Sequence, residues 1–539
     1  VADVDVLVAG AGPVGLTLAT ELRRRGVSCR VVDRLPARLP YARAVGVQPR
    51  TLEIWDRMGM VREALEAAVP LKGQLLYADG EEGPRTDLAL PPRFPYGFAA
   101  LPQYETERLL EDLLARRGGQ VERGTELVSF TQDPTEVGVV LRLPEGGTEE
   151  VTARYLVGCD GAHSAVRKGL GLAFEGAALP EEYMLGDVEV DWDLPPGYAI
   201  RASRRVDGQP DDLLVCIPLP GENRYRMSMA APPELRAATG GEDGVVHGLS
   251  GSRGRVPGLE HIQAVLDRLA PRPVRASTLR WSSVFRVSHR IVDSYGRGRV
   301  FLAGDSAHIH PPTGAQGMNT GVQDAFNLGW KLAAAVRGRA GAGLLDSYDA
   351  ERRPIGEEVV ARTVRHARGG VQSDPEDPGT LILREAQLLL GYRGSPLVRP
   401  GDSPHEGPEP GDRAPDCGGL VHAVGTFPVR LFGLLREREH TLLLYADRED
   451  QIPSFDEVAA DAALAAPGSL NTCVVLAPAL RAPVPYLPAV RDSLGEFRLA
   501  YGARGGEAVL VRPDGYLGFR GVPADGPEPA AHLRTLYGT

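Results

Sequence analysis

The stretch "VDVLVAGAGPVGLTLATELRRRGVSCRVVD", Val4 to Asp33, decides the fold. Asp5-Val-Leu-Val-Ala9 is an apolar run closed by a glycine-rich turn, which reads as a buried strand. From Pro13 to Arg25, Val14, Leu18 and Leu22 recur at helical spacing, and Gly26 stands where a helix C-terminus takes glycine. Val27 to Asp33 reads as the next strand. Strand, helix and strand in so short a span imply a parallel pair joined by a right-handed crossover. Between them lies Gly10-Ala-Gly-Pro-Val-Gly15, the Gly-x-Gly-x-x-Gly spacing of a dinucleotide cradle. Gly10 permits the tight turn, Gly12 lets backbone approach a pyrophosphate, and Gly15 lets helix and strand pack closely. Pro13 and Val14 open a helix whose free N–H groups and dipole attract an anion. Asp33 ends the second strand, where a carboxylate accepts from a ribose 2′-OH and repels a 2′-phosphate, so the cradle suits FAD or NAD rather than NADP.

Further along, Arg154–Gly158 and Arg299–Ala303 are apolar runs that each end in Gly/Asp chemistry. Between Phe174 and Phe285, runs such as Asp212–Pro218 indicate a β-rich insertion, and helices dominate from Gly321 to about Leu390. Arg393 to Asp416 is dense in Pro and Gly and has no periodicity, which marks a linker. Beyond it, His440–Tyr445, Thr472–Leu476 and Ala508–Arg512 alternate with helical patterns as a smaller α/β unit. A chain of 539 residues exceeds one ordinary core. Its net charge of −11 argues against a nucleic-acid binder, which needs a basic footprint. No apolar run is long enough to span a bilayer, and Val1-Ala-Asp-Val-Asp lacks a signal core, so no membrane partner and a cytoplasmic location are expected. The five cysteines are scattered and never in Cys-x-x-Cys, which is neither a disulfide framework nor a zinc site.

The sequence has one cradle, so the choice between FAD and NAD falls to other motifs. Cys159-Asp-Gly-Ala-His-Ser-Ala-Val-Arg167 resembles the Asp-Gly motif of the group A FAD-dependent aromatic hydroxylases. Leu302-Ala-Gly-Asp-Ser-Ala-His308 resembles their Gly-Asp motif, whose aspartate binds the FAD ribose. With Gly10–Gly15 these stand in the family's order over the first three-quarters of the chain. Over its full length the sequence is most similar to actinobacterial hydroxylases that tailor aromatic polyketides for antibiotic biosynthesis. The resemblance implies an α/β fold with a Rossmann-like FAD-binding domain, an interleaved β-sheet substrate domain, a helical segment and a thioredoxin-like C-terminal domain. The expected boundaries are 1–173 and 286–395 for FAD binding with helices, 174–285 for substrate, 396–411 for the linker and 412–539 for the last domain. That domain is expected to be redox-inert, because it lacks Cys-x-x-Cys.

The same resemblance gives roles to residues. Arg34, Arg43, Gln103, Asp160, Gly304 and Asp305 join the cradle residues as cofactor contacts, with Arg43 and Pro312 at the reacting front. Gly314, Gln316 and Gly317 let backbone pass close to a flat ring, and Met318 and Asn319 start a helix whose N-terminus points at the flavin. Oriented N–H groups there would stabilise reduced flavin as a preorganised anion site. The turn therefore reads as a flavin seat. His308 and His310, spaced i, i+2 without a third ligand, are read as local hydrogen-bonding groups rather than a metal site. Phe94, Tyr96 and Phe98 alternate; as a strand they would share one face and line a pocket or join the core. The implied activity is hydroxylation of a polycyclic aromatic polyketide or phenol through a flavin C4a-hydroperoxide, with NADPH or NADH bound transiently and O2 as oxidant. Baeyer–Villiger insertion into a ketone by the same flavin is the neighbouring alternative, and a non-catalytic flavoprotein is the remote one. The reading leaves room for a homodimer.

Overall fold

The computed structural model describes residues 2–40, 44–206, 209–235, 256–369, 375–399, 406–480, 486–521 and 528–538. The opening crossover is there: β1 (Val4–Ala9), α1 (Pro13–Arg24) and β2 (Cys29–Asp33), with β1 and β2 parallel. β2 starts at Cys29 rather than Val27 because the Val27 N–H bonds the Leu22 carbonyl at the end of α1. β3 (Thr148–Gly158) lies parallel on the other side of β1, and β4 (Val300–Leu302) is parallel to the end of β3. The antiparallel strands Val137–Arg142 and Glu126–Gln132 continue the sheet beyond the first half of β3, and Val121–Arg123 continues it beyond β2. Their apolar side chains form a core with α1 that includes fully buried Val6, Leu7, Val8, Leu156 and Val157.

Four further helices matter for the site: α2 (Pro49–Met58), α3 (Gln103–Arg116), α4 (Gly317–Val336) and α5 (Ser347–Gly369). A second sheet runs in the order His308–Ile309, Ala276–Val292, Phe174–Val190, Arg224–Ala230, Gln209–Pro218, Tyr198–Val206, Gly73–Ala78, Glu81–Glu82. It is antiparallel except where Tyr198–Val206 meets Gly73–Ala78. One apolar face of it is covered by the helix Leu259–Leu269 through Ile262, Val265 and Leu266. The C-terminal sheet contains Leu420–His422, Ala489–Asp492, Leu470–Leu476, His440–Ala446, β5 (Glu507–Val511) and β6 (Leu517–Gly521) in that order.

The architecture is the α/β class expected. One local expectation needs correction. Only Phe98–Ala100 forms a strand, so Phe94 and Tyr96 sit in the preceding loop and do not share a strand face with Phe98. The prolines Pro91, Pro92 and Pro95 remove the donors a ladder there would need. The proline- and glycine-rich stretch is also anchored where it is described: Leu397 and Val398 are buried, and the Gly411 N–H bonds the Leu517 carbonyl.

Candidate functional site

Register brings three distant motifs together. Ala9 pairs with Gly158, and Gly158 pairs with Leu302, so the carboxyl ends of β1, β3 and β4 lie side by side. The residues that follow are Gly10, Cys159-Asp160 and Ala303-Gly304-Asp305. The edge outside the carboxyl ends of parallel strands is where such sheets bind ligands. His308–Ile309, immediately after the third motif, pairs with Ala276–Val292 and thereby joins this edge to the second sheet.

The cradle glycines are not equivalent. A Cβ on Gly10 would lie 2.3 Å from the Cys159 carbonyl oxygen, and one on Gly15 would lie 1.9 Å from the Gly10 carbonyl oxygen. A Cβ on Gly12 meets no atom within 4 Å. Thus Gly10 and Gly15 serve close backbone packing, whereas Gly12 faces open space at the start of α1. No side chain caps that helix start. The arrangement accepts an anion, as a pyrophosphate requires. Asp33 lies beside it. Its carboxylate accepts the Ala11 N–H at 2.8 Å and the Leu35 N–H at 2.8 Å, and the remaining lone pairs could take ribose hydroxyls. Arg34 is exposed.

The second motif is held internally. Asp160 accepts from Ser164 Oγ and from the Ala165 and Val166 N–H groups, so it caps the short helix that follows. Arg167 then donates to the carbonyls of Ala162 and Ser306, tying the second motif to the third. In the third motif Gly304 has φ +65°, and a Cβ there would lie 2.8 Å from Val14. Asp305 is exposed beside it. The Gly304 N–H donates to Asp324 of α4 at 3.1 Å. Asp324 also bonds His308 Nε2 at 2.8 Å and accepts from Arg352 Nε of α5 at 2.8 Å, with all three side chains buried. Burial opposes ionisation of Asp324, but Arg352 and His308 hold its carboxyl below the usual aspartate range.

The turn before α4 is built from the residues the sequence singles out. Gly314 has φ +71°, and a Cβ there would lie 2.3 Å from Glu385 Oε2. Gln316 donates to the Gly314 and Glu385 carbonyls and to the Glu385 carboxylate. Asn319 donates to the carbonyls of Gly46 and Ala315, and accepts from the Gln48 N–H and the Thr51 hydroxyl. Its side chain thus ties the start of α4 to the start of α2. Gly317, the first residue of α4, lies next to His310, and Met318 is partly buried against the main core. No side chain caps α4. His310 Nδ1 donates to the Pro311 carbonyl, which leaves Nε2 with an acceptor lone pair. That atom is buried and has no hydrogen-bond partner among the described residues. Burial pushes the imidazole down to about 4, so it is neutral at ordinary pH. Pro312 precedes the Gly314 turn. Arg43 lies outside the described residues.

Gln103 opens α3, accepts the Ala44 N–H at 3.1 Å and donates to Glu107 at 2.8 Å. The sequence alone places Glu107, with Glu105, among solvated surface charges; the structure corrects this, since Glu107 is buried, and its i, i+4 position after Gln103 was the available signal. Burial pushes the Glu107 carboxyl up to about 7; the Gln103 bond and Arg123 oppose this, and Asp33 adds to it. The unfolded chain releases that proton near the usual glutamate value, so stability from this group falls as pH rises from about 4.5 to 7. Glu107→Gln keeps an acceptor for Gln103 without the charge. Thermal melts of the FAD-free variant should show a flatter decline between pH 5 and 7.5, with a gain of about 2 kcal/mol at pH 8. A profile that superimposes on wild type would remove Glu107 as the titrating group.

Phe94 and Tyr96 line a cavity of 430 Å³ with Leu71, Lys72, Arg85 and Tyr198, whereas Phe98 packs against Ala386 and Leu388. In the C-terminal unit, burial pushes the Cys417 thiol well up and the Cys473 thiol up to about 11, so both are poor thiolates. Among the described residues no group of His, Cys, Asp and Glu could hold a metal ion, and no helix is long and apolar enough to cross a membrane.

The FAD binding domain family matches residues 3–363, which contain all three motifs. The chain belongs to this family of FAD-dependent aromatic hydroxylases. It is 35% identical over 527 residues to a flavin-dependent monooxygenase of Mycobacteroides abscessus, covering 95% of this chain and 96% of the relative. It is 33% identical to the 6-methylpretetramide 4-monooxygenase of Streptomyces rimosus, covering 99% of this chain and 93% of that one. The solved ternary complex of aklavinone-11 hydroxylase with FAD and aklavinone superimposes with a TM-score of 0.78 at 28% identity, covering each chain completely. The protein is a flavin-dependent monooxygenase, and the open cradle, two uncapped helix starts and exposed Asp305 fit FAD.

Proposed function

We propose that this monooxygenase consumes NAD(P)H and O2 to hydroxylate a polycyclic aromatic polyketide or a related phenol in the cytoplasm. The observation that carries the reading is the convergence of Gly10, Asp160 and Gly304-Asp305 at one sheet edge that is continuous, through His308–Ile309, with the second sheet. Similarity to enzymes named for 6-methylpretetramide, anhydrotetracycline and pentachlorophenol supports the substrate class. We assign residues 1–173 and 286–395 to cofactor binding, 174–285 to substrate, 396–411 to the linker and 412–539 to a structural unit.

Bound FAD supplies the redox chemistry that activates O2. In this reading Gly12 and the N–H groups that open α1 at Val14 would receive its phosphates, Gly10, Pro13 and Gly15 would shape the cradle around them, and Asp33, Arg34, Gly304 and Asp305 would bind and orient the nucleotide beside the turn that Asp160 caps. Gly314, Gln316, Gly317, Met318 and Asn319 shape the surface under the ring, and the N-terminal N–H groups of α4 stabilise negative charge there. Gln103 and Arg43 contact the ring, and Pro312 shapes the side where substrate lies. His310 Nε2, neutral and with a free lone pair, can accept a hydrogen bond at this front. With one cradle in the sequence, nicotinamide binds transiently, and NADPH is the preferred donor.

The test is incubation of the yellow protein with O2, NADPH or NADH, and aklavinone, anhydrotetracycline or pentachlorophenol as probes. Substrate-stimulated NAD(P)H oxidation with a hydroxylated product is the expected result. A ring-expanded lactone would replace hydroxylation by oxygen insertion. FAD-loaded protein that oxidises neither nicotinamide with any probe would defeat the reading.

A further inference from the structure

The C-terminal unit has no redox-competent thiol pair, yet its β5–β6 turn, Arg512-Pro-Asp-Gly-Tyr516, is driven deep into the FAD-binding part. Arg512, Asp514 and Tyr516 are each at most 2% exposed. We propose that this turn is a positioning element of the flavin seat: it sets the placement of α4 and of the Gly304-Asp305 turn, and so acts in cofactor retention. The proposal rests on the assignment of those residues to the FAD site.

Three separate routes lead from the turn to the seat. The first is the lower part of α4. Asn327 and Trp330 donate to Asp514 Oδ2 at 3.0 and 3.2 Å. Lys331 donates to Glu351 of α5 at 2.7 Å, and Arg512 reaches the same carboxylate at 2.7 and 2.8 Å while also bonding Asp514. Two cations and two carboxylates therefore balance in a water-free space, and only the docked turn supplies Arg512 and Asp514. The second route is Tyr516. Its ring lies 4.1 Å from that of Tyr392, whose hydroxyl accepts from Arg352 Nη1 at 3.1 Å. Arg352 in turn holds Asp324, the residue that receives the Gly304 N–H and His308. Third, the turn backbone receives Arg50 and Arg57 of α2, the helix that follows Gln48 and carries Thr51, both bonded to Asn319.

A buried charge network of this kind adds little net stability over an apolar contact. What it adds is geometry, because each donor has a fixed acceptor and α4 cannot slide or rotate without stranding a charge. A contact that only glued the two units together would not need to meet the helix whose other end forms the seat.

The experiment compares full-length variants by far-UV circular dichroism, thermal melting of the FAD-free protein, visible circular dichroism of the bound flavin and FAD titration. Asp514→Asn should raise the FAD dissociation constant about tenfold or more and alter the flavin visible dichroism. Tyr392→Phe, which removes one hydroxyl and keeps the ring contact with Tyr516, should raise it several-fold with the fold intact. Glu439→Gln breaks a different tie between the units, the Arg25–Glu439 pair, and should lower the melting temperature while FAD affinity stays within about twofold. If Asp514→Asn does not fold, Tyr392→Phe decides. The proposal is overturned if Tyr392→Phe and any folded Asp514→Asn bind FAD as wild type does, or if affinity in all three variants merely tracks melting temperature. Gly12→Val reports on the seat itself. If it leaves FAD binding unchanged the site assignment fails, and this proposal falls with it.

Discussion

Gly12→Val should give a folded protein that does not retain FAD, whereas Gly15→Val should give little folded protein at all. The two positions are three residues apart in one motif, and the difference is steric. Gly12 has extended backbone, φ −75° and ψ −177°, which valine adopts readily, and its Cβ would meet nothing within 4 Å. The new side chain then occupies the opening through which an anion reaches α1. Charge-assisted hydrogen bonds from a helix start are each worth roughly 1.5–3 kcal/mol, so losing two reduces FAD affinity by about 100-fold or more. At Gly15 the Cβ would lie 1.9 Å from the Gly10 carbonyl oxygen and 3.3 Å from Cys159 Cβ. That oxygen is backbone, held because Gly10 donates its N–H to Val32 and Cys159 donates to Ala9, so it cannot retreat. Circular dichroism and FAD titration of the two variants test this. Wild-type affinity in Gly12→Val would dissociate the cradle from the cofactor, and a native, FAD-binding Gly15→Val would refute the packing argument.

Asp324→Ala should destabilise the FAD-free protein by about 3–5 kcal/mol, the cost of removing one partner from a buried charge pair. The substitution strands the Arg352 guanidinium, removes the His308 Nε2 partner and leaves the Gly304 N–H without its acceptor. Each of these residues is essentially inaccessible to water, so solvent cannot replace the carboxylate. FAD affinity falls as well, because the Gly304-Asp305 turn loses the bond that positions it. Urea unfolding measures the first effect and FAD titration of the folded fraction the second. A stability loss under about 1 kcal/mol would mean that Asp324 is not the keystone of the turn.

The opening crossover and its glycines were legible because they are local. A strand, a tight turn and a helix in succession leave a periodic pattern, and the steric roles of Gly10 and Gly15 follow from the turn itself. Resemblance singled out Asp305 and Asn319 as cofactor contacts; the structure has Asp305 exposed beside Gly304 and Asn319 tying the start of α4 to α2. Phe94 and Tyr96 misled, since alternation over five residues carries no information about a hydrogen-bonding partner, and three nearby prolines removed the donors. Glu107 was counted as solvated because a glutamate at a helix surface spacing looks so, and only its burial in the folded chain pushes its carboxyl up to about 7.

By itself, the sequence determined the α/β class, the dinucleotide cradle and the family, because these depend on short-range pattern and on motifs of fixed spacing. Only the tertiary structure decided that Ala9, Gly158 and Leu302 stand side by side, since strand register is a contact between residues some 150 positions apart. It alone decided that Asp160 caps its own helix while Gly12 faces open space. It likewise decided that Asp514 reaches Asn327 across 187 positions of chain. A buried carboxylate must find its donors wherever the fold brings them, and nothing in the local sequence specifies that address.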